Sequence, residues 1–256
     1  MAPSEGELQG KIALITGSSR GIGAACAIVM AREGADVVVN HRDSQADAES
    51  VAERIRGLGQ RALIIQADVS DGRQVADMVG RVIGAWGRID VLVNNVGRHA
   101  THRYAIESMN LDEWHDSLKV NLTSHLLCIQ AVVPGMLDRG WGRIVNIGSI
   151  VAQRGSGSGD VFYVVTKAGV HGLTLALFRQ LAPSRIAVNT VSPGVIDTPM
   201  TRRVLSAQEL QVRAQGIPVG RIGRAEEVAE VVSFLASERA SFVTGQLIAV
   251  NGGQYV

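Results

Sequence analysis

Cysteine is nearly missing from this chain: Cys26 and Cys128 are the only two in 256 residues. Each falls inside an apolar helical pattern, so they read as reduced, small core residues of a cytosolic (cytoplasmic) protein rather than as a disulfide. An excess of one charge is missing too, since 25 Lys and Arg stand against 24 Asp and Glu. With a formal charge of +1 and no basic run, nothing points to nucleic acid or to an anionic membrane surface. The opening MAPSEGELQGK is polar, and no secretory signal is expected there. Long apolar runs are lacking as well. LLCIQAVVPGML (126–137) is short of the ~20 residues that span a bilayer and contains Pro134, so no membrane partner is expected. There is no linker, low-complexity block or fixed-period repeat.

What is present is a hydrophobic fraction of 46% and 29 glycines, the make-up of a compact, turn-rich globule. The length suits one α/β domain over residues 1–256. Short β-branched runs alternate with longer helical patterns. The strands expected are KIALIT (11–16), DVVVN (36–40), ALIIQAD (62–68), DVLVNNV (90–96), RIVNIGS (143–149), RIAVNTVSP (185–193) and LIAVN (247–251). Helical patterns lie between them, including a long one from Leu111 to Leu137, one through Tyr163 to Leu181 and one from Ala225 to Leu235. Near-continuous apolar strands joined by helices imply a doubly wound, seven-stranded parallel sheet with helices on both faces, a Rossmann fold. Ligands of such sheets bind outside the carboxyl ends of the strands, so the strand-end residues are the ones to read.

The first strand ends in TGSSRGIG. Gly17, Gly21 and Gly23 fall where the chain must turn, admit a phosphate and pack a helix whose N-terminus favours anions. The same stretch also matches G-x-S-x-G, a nucleophile elbow with Ser19 as nucleophile, but that elbow needs an earlier strand for its oxyanion loop and none precedes. Asp68, before Val69, can accept from the amine of adenine or cap the next helix. NNVG ends the fourth strand, where Gly97 would let backbone lie against a ribose. Asn121 interrupts a helical pattern, either as an ordinary polar residue or as a local distortion that frees a carbonyl. Tyr163 and Lys167 stand four apart on one helix face, where a cation can favour phenolate; a plain surface pair is the alternative.

TGSSRGIG, Asp68-Val69, NNVG, Asn121, Ser149, Tyr163-x-x-x-Lys167 and Ser192-Pro193-Gly194 with Thr198 together resemble the short-chain dehydrogenase/reductase family from about Leu8 onward. The resemblance implies an NAD(P)-dependent carbonyl–alcohol oxidoreductase with Asn121, Ser149, Tyr163 and Lys167 as catalytic tetrad. Tyr163 would act as general acid, Ser149 would bond the same oxygen, Lys167 would lower the phenol's pKa and hold the ribose, and Asn121 would anchor a water. Cofactor contacts are expected from Gly17, Ser19, Arg20, Gly21, Ile22 and Gly23, from Asp68, Val69, Asn95 and Gly97, and from Tyr163 and Lys167. Pro193, Gly194, Ile196 and Thr198 would meet the nicotinamide, although SPG is also a turn. Two departures stand out: Val96 where alanine is usual, and a Ser149–Tyr163 interval one residue longer than usual, through GSGSGD.

The second strand ends Asn40-His41-Arg42, without a carboxylate until Asp43. Arg20 and Arg42 could flank a 2′-phosphate, so NADP(H) is the expected cofactor, with NAD(H) as the alternative. His99 and His102 suggest a metal pair, but no partner sits at ligand spacing, so no metal is expected and they read as substrate-loop residues. Loops 98–108, 150–160 and 197–218 would choose the substrate. Within the family the chain looks most like reductases of 3-oxoacyl groups on acyl carrier protein, with Arg139 and Arg185 as carrier-docking residues. A free alcohol, sugar or steroid is the alternative substrate, and a cofactor-binding regulator without catalysis is the rival class. The resemblance also implies a homotetramer, built first through helices 111–138 and 160–182.

Overall fold

The computed structural model describes residues 6–99, 105–156 and 160–256. The seven expected strands form β1 (Ile12–Ile15), β2 (Asp36–His41), β3 (Ala62–Gln66), β4 (Val91–Asn94), β5 (Gly142–Ile147), β6 (Ile186–Pro193) and β9 (Leu247–Val250). All pair in parallel, in the order β3-β2-β1-β4-β5-β6-β9. The order reverses between β1 and β4, and the crevice at the carboxyl ends of these two strands is where such a sheet binds ligands. A separate pair, β7 (Ile196–Asp197) and β8 (Gly223–Arg224), had no strand-like run to announce it.

The helices are α1 (Gly21–Arg32), α2 (Gln45–Gly57), α3 (Gly72–Trp86), α4 (Leu111–Leu118), α5 (Ser124–Arg139), α6 (Val151–Arg154), α7 (Val161–Leu181), α8 (Pro199–Val204), α9 (Ala207–Gln215) and α10 (Ala225–Ala236). Alternation along the strands builds two apolar layers. Ala13 and Ile15 of β1 pack with Met30 of α1 and Val232 of α10, whereas Ile12 and Leu14 pack with Met78 of α3 and Val132 of α5. Cys26 belongs to the first layer and Cys128 to the second, so the sheet separates them and they cannot bond to each other within one chain. Burial pushes both thiols up to about 12, which keeps them protonated.

The long pattern expected over 111–137 is two helices joined by a π-helical turn, Lys119–Thr123, centred on Asn121. The expectation that no segment approaches membrane-spanning length needs correcting. Leu111–Arg139 and Val161–Ser184 are both long and apolar enough by length and composition, because interspersed polar residues break the runs without making the helices polar. Their inner faces pack on the sheet, while Leu111, Leu126, Leu137, Val165 and Leu175 stay exposed.

At the amino-terminal edge of the sheet, buried Asp90 ties three elements together. Its Oδ2 accepts from Ile12 N and from Arg88 Nε, both at 2.9 Å, and Arg139 Nε lies 3.9 Å from Oδ1. Asp90→Ala leaves the buried Ile12 N–H without its acceptor and removes the carboxylate that Arg88 and Arg139 share, and should lower unfolding stability by about 2 kcal/mol in urea titration. A change under a few tenths of a kcal/mol would show that the cluster is solvated rather than structural.

Candidate active site

The loop after β1 is clamped from both neighbouring strands. Gly17 N donates to Asn40 Oδ1 at 3.0 Å, and Asn95 Nδ2 donates to Thr16 O at 2.9 Å and Gly17 O at 3.2 Å. Gly17 and Gly21 hold φ of 61° and 57°, a region costly for other residues. A Cβ on Gly23 would come within 2.6 Å of Gly17 O, so α1 can approach the loop this closely only with glycine there. The first N–H groups of α1, around Ser19 to Ile22, lack intrahelical acceptors and open at the crevice.

Not every expected contact turns toward the cleft. The Asn40 side chain is spent on Gly17 N and on Ala67 O, the latter at 3.1 Å. His41 is buried, with Nδ1 accepting from Ser44 N at 3.2 Å. Asn40 braces the loop after β1 and His41 the turn into α2, contacts invisible in a linear string. Arg20 and Arg42 flank the site from its rim, at 3.8 Å and 3.1 Å from Asp43. Asp68 does not cap α3: its Oδ1 accepts from Ser70 N at 2.9 Å, and Asp71 caps the helix. Val69 lies buried in the second apolar layer.

Ser149 follows β5, and Tyr163 and Lys167 stand on the first two turns of α7, which Asp160 caps by accepting from Tyr163 N at 3.0 Å. Ser149 and Tyr163 both line the cleft, and Ser149 Oγ also accepts from Val151 N at 3.3 Å. Residues 157–159 of the lengthened loop lie outside the described ones, yet both ends of the loop reach the same cleft. Lys167 is buried and donates to Ile147 O at 2.7 Å, with Nζ 5.7 Å from the Tyr163 ring centre. Asn121 holds the segment after β4, accepting from Arg98 N at 2.7 Å and donating to Arg98 O at 2.9 Å. Gly97 lies between the two, where a Cβ would fall 3.1 Å from Lys167 Nζ and 3.4 Å from Asn121 Oδ1.

A family model described as enoyl-(acyl carrier protein) reductase matches residues 17–254. The chain is 43% identical to 3-oxoacyl-[acyl-carrier-protein] reductase FabG of Pseudomonas aeruginosa over 249 residues, 97% of this chain and 99% of that one. A short-chain dehydrogenase/reductase from Serratia marcescens superposes with a TM-score of 0.91 at 36% identity, covering 98% of this chain and 100% of that one. The chain belongs to the short-chain dehydrogenase/reductase family. A further member, from Burkholderia cenocepacia and solved in complex with NADP, superposes with a TM-score of 0.88 at 35% identity, covering 97% of this chain and 99% of that one.

As a short-chain dehydrogenase/reductase, the chain is an oxidoreductase of the CH–OH/C=O class with a nicotinamide cofactor. The donor set and the shape fit such a group: unpaired N–H groups at α1, and backbone laid bare at Gly97. Gly194 has a different reason for being glycine, because a Cβ there would strike Asn251 Cα at 2.9 Å, in the C-terminal tail. The cleft, about 1260 Å³ with open solvent included, is lined by Ser149, Tyr163 and Lys167, by Ile22, Asn95 and Gly97, and by Pro193, Gly194, Ile196 and Thr198. Thr198 also caps α8, accepting from Thr201 N at 3.2 Å.

Several lining groups carried no motif. Asp160, from loop 150–160, and Met200, Val204 and Leu205, from segment 197–218, lie in the loops expected to choose the substrate, with no individual role foreseen. His99, foreseen only as a loop residue, packs on Tyr163. His102 lies outside the described residues. His125 and His171 are buried behind Lys167 and are pushed down to about 3 and about 4, chiefly by burial and then by its charge. Arg139 and Arg185 stand at the amino-terminal edge of the sheet, away from this cleft, and Arg139 Nη2 is bonded to Ile89 O at 2.6 Å.

The electrostatics correct one expectation. Tyr163 is not lowered: burial pushes it up to about 12, the Ser149 bond opposing and the Asp160 charge adding to the rise. Desolvation outweighs a cation that lies beside the ring. Lys167 is pushed down to about 8 by burial from its ordinary 10.5. Below pH 8 its ammonium is charged in both folded and unfolded chains, and the burial cost is present in full. Between pH 8 and 10.5 the folded chain gives up the proton first, so the cost fades. Lys167→Met, of similar volume and uncharged, should therefore raise the thermal midpoint at pH 7 and lose most of that gain by pH 10. A lowered midpoint at pH 7 would show the ammonium to be stabilising.

Proposed function

We propose that this chain uses NADPH to reduce the ketone of a 3-oxoacyl thioester; the Pseudomonas aeruginosa relative is named a 3-oxoacyl-[acyl-carrier-protein] reductase. The observation that carries the reading is that Ser149 and Tyr163 line one cleft together, with Lys167 buried one helical turn beyond. The whole chain serves as a single domain. A bound nicotinamide dinucleotide supplies the hydride. Tyr163 hands its phenolic proton to the oxygen that becomes an alkoxide, and Ser149 steadies the developing charge on the same atom. A phenol near 12 is in its acid form at neutral pH, which suits reduction. Lys167 then favours the phenolate left behind, and Asn121 keeps the Arg98 segment in place beside it. Two hydroxyls aimed at one oxygen favour C=O over the C=C named in the family model's description, for which the proton must reach carbon.

The preference for NADP(H) over NAD(H) rests on Arg20, just before α1, and Arg42, just after β2, two guanidinium groups that a 2′-phosphate would take away from Asp43. Asp43 favours the other reading, because a carboxylate near this strand end can accept from a 2′-hydroxyl. Steady-state oxidation of NADPH and NADH with acetoacetyl and crotonyl thioesters and free ketones decides both questions. NADPH with the acetoacetyl thioester should be fastest, and Tyr163→Phe should lower kcat by about 10³-fold or more with cofactor binding retained. Near-normal rates in that variant would remove the assigned acid.

The assembly we propose is a homotetramer in the cytoplasm. The exposed apolar residues of α5 and α7 support it, since water-facing leucines at helical spacing suit burial against a second copy. Light scattering at micromolar concentration should give four times the chain's 27.1 kDa, and a monomeric mass would refute it.

A further inference from the structure

The cleft holds one more polar group beside the reacting pair. His99 Nδ1 lies 2.9 Å from Asp160 Oδ2, a carboxylate that is 8% exposed and whose other oxygen caps α7 through Tyr163 N. The His99 ring rests on the Tyr163 ring, with centroids 4.2 Å apart and planes tilted by 39°. Three contacts thus fix the imidazole relative to the phenol: a ring face, a charge-assisted hydrogen bond and a shared helix cap. The other ring nitrogen, Nε2, has no hydrogen-bond partner among the described residues, and both His99 and Asp160 line the cleft. Structure alone gives no need for such a pair. Any residue able to cap α7 would do at position 160, and an apolar ring would cover Tyr163 equally well.

We propose that His99, oriented by Asp160, is a substrate-positioning group that binds a second oxygen of the substrate while Tyr163 and Ser149 hold the first. This rests on the ketone-reduction reading above and deepens it to a substrate class: ketones carrying another carbonyl one methylene away. With Nδ1 turned to Asp160, Nε2 is the ring edge left to meet that carbonyl oxygen, as donor when it carries a proton. A 1,3-dicarbonyl carries its oxygens close together, and the imidazole lies one ring thickness from the phenol that serves the first. A simple ketone offers Nε2 nothing, so the group discriminates between the two substrates.

The test compares the wild-type chain with His99→Phe, which keeps a ring on Tyr163 and removes both nitrogens. Asp160→Asn keeps the helix cap and removes the carboxylate, and His99→Gln restores an N–H donor. Each is assayed with an acetoacetyl thioester of N-acetylcysteamine and with a monoketone of matching length. His99→Phe should lose about 10- to 30-fold more in kcat/KM on the thioester than on the monoketone, the difference appearing mostly as a raised KM. Asp160→Asn should show the same substrate selectivity to a lesser degree, and His99→Gln should recover part of the loss. Equal losses on both substrates, or none on the thioester, overturn the assignment. A wild-type chain that reduces neither ketone overturns the functional reading itself, and the assignment with it.

Discussion

A phenol withdrawn from water beside an ammonium equally withdrawn is the constraint around which this site is arranged. Burial acts oppositely on the two groups, holding Tyr163 as the neutral acid and loosening the proton on Lys167. Neither would be tolerated on packing grounds alone. Lys167 keeps one hydrogen bond, to Ile147 O, and two neutral histidines stand behind it. The fold supplies the rigidity that this requires. Asp160 caps α7 at Tyr163 itself, and Asn121, on a turn wound one residue wider than an α-helix, grips Arg98 by N–H and carbonyl.

The sheet was legible because its inner strands, β1, β2, β4, β5 and β6, are buried on both faces and so read as apolar runs. The half-exposed edges β3 and β9 kept enough of the same pattern. All seven were found, with ends displaced by one or two residues, and the doubly wound order follows from their alternation with helices. The site was legible where a residue's own geometry carries the signal: glycines in a strand-to-helix turn, and a Tyr and Lys one helical turn apart. Asn121 announced the distorted helix because amides disturb helical bonding. What escaped were relations between distant positions. The pairing of Asn40 with Gly17 spans 23 residues and that of His99 with Asp160 spans 61, and neither follows from a local pattern. The sign of the Tyr163 shift escaped for a different reason. Coulomb attraction can be guessed from the spacing of Lys167, whereas desolvation depends on how much of the chain closes over the phenol.

The same comparison separates the roles of the glycines. Gly17 is a glycine because it turns at positive φ against Val96, Gly23 because α1 touches the loop after β1, and Gly97 because backbone must pass Lys167 and Asn121. Gly194, in an equally suggestive motif, is a glycine because the C-terminal tail crosses it. Close approach rather than motif membership says which backbone faces a ligand.

The most direct measurement is an ultraviolet titration of tyrosine ionisation, taken as the difference between wild-type chain and Tyr163→Phe. The account predicts that the phenolate signal belonging to Tyr163 stays absent up to pH 10 and emerges only toward about 12. A Tyr163-dependent transition at or below pH 8 would contradict it, because the attraction of Lys167 would then outweigh burial and the resting group would be a base.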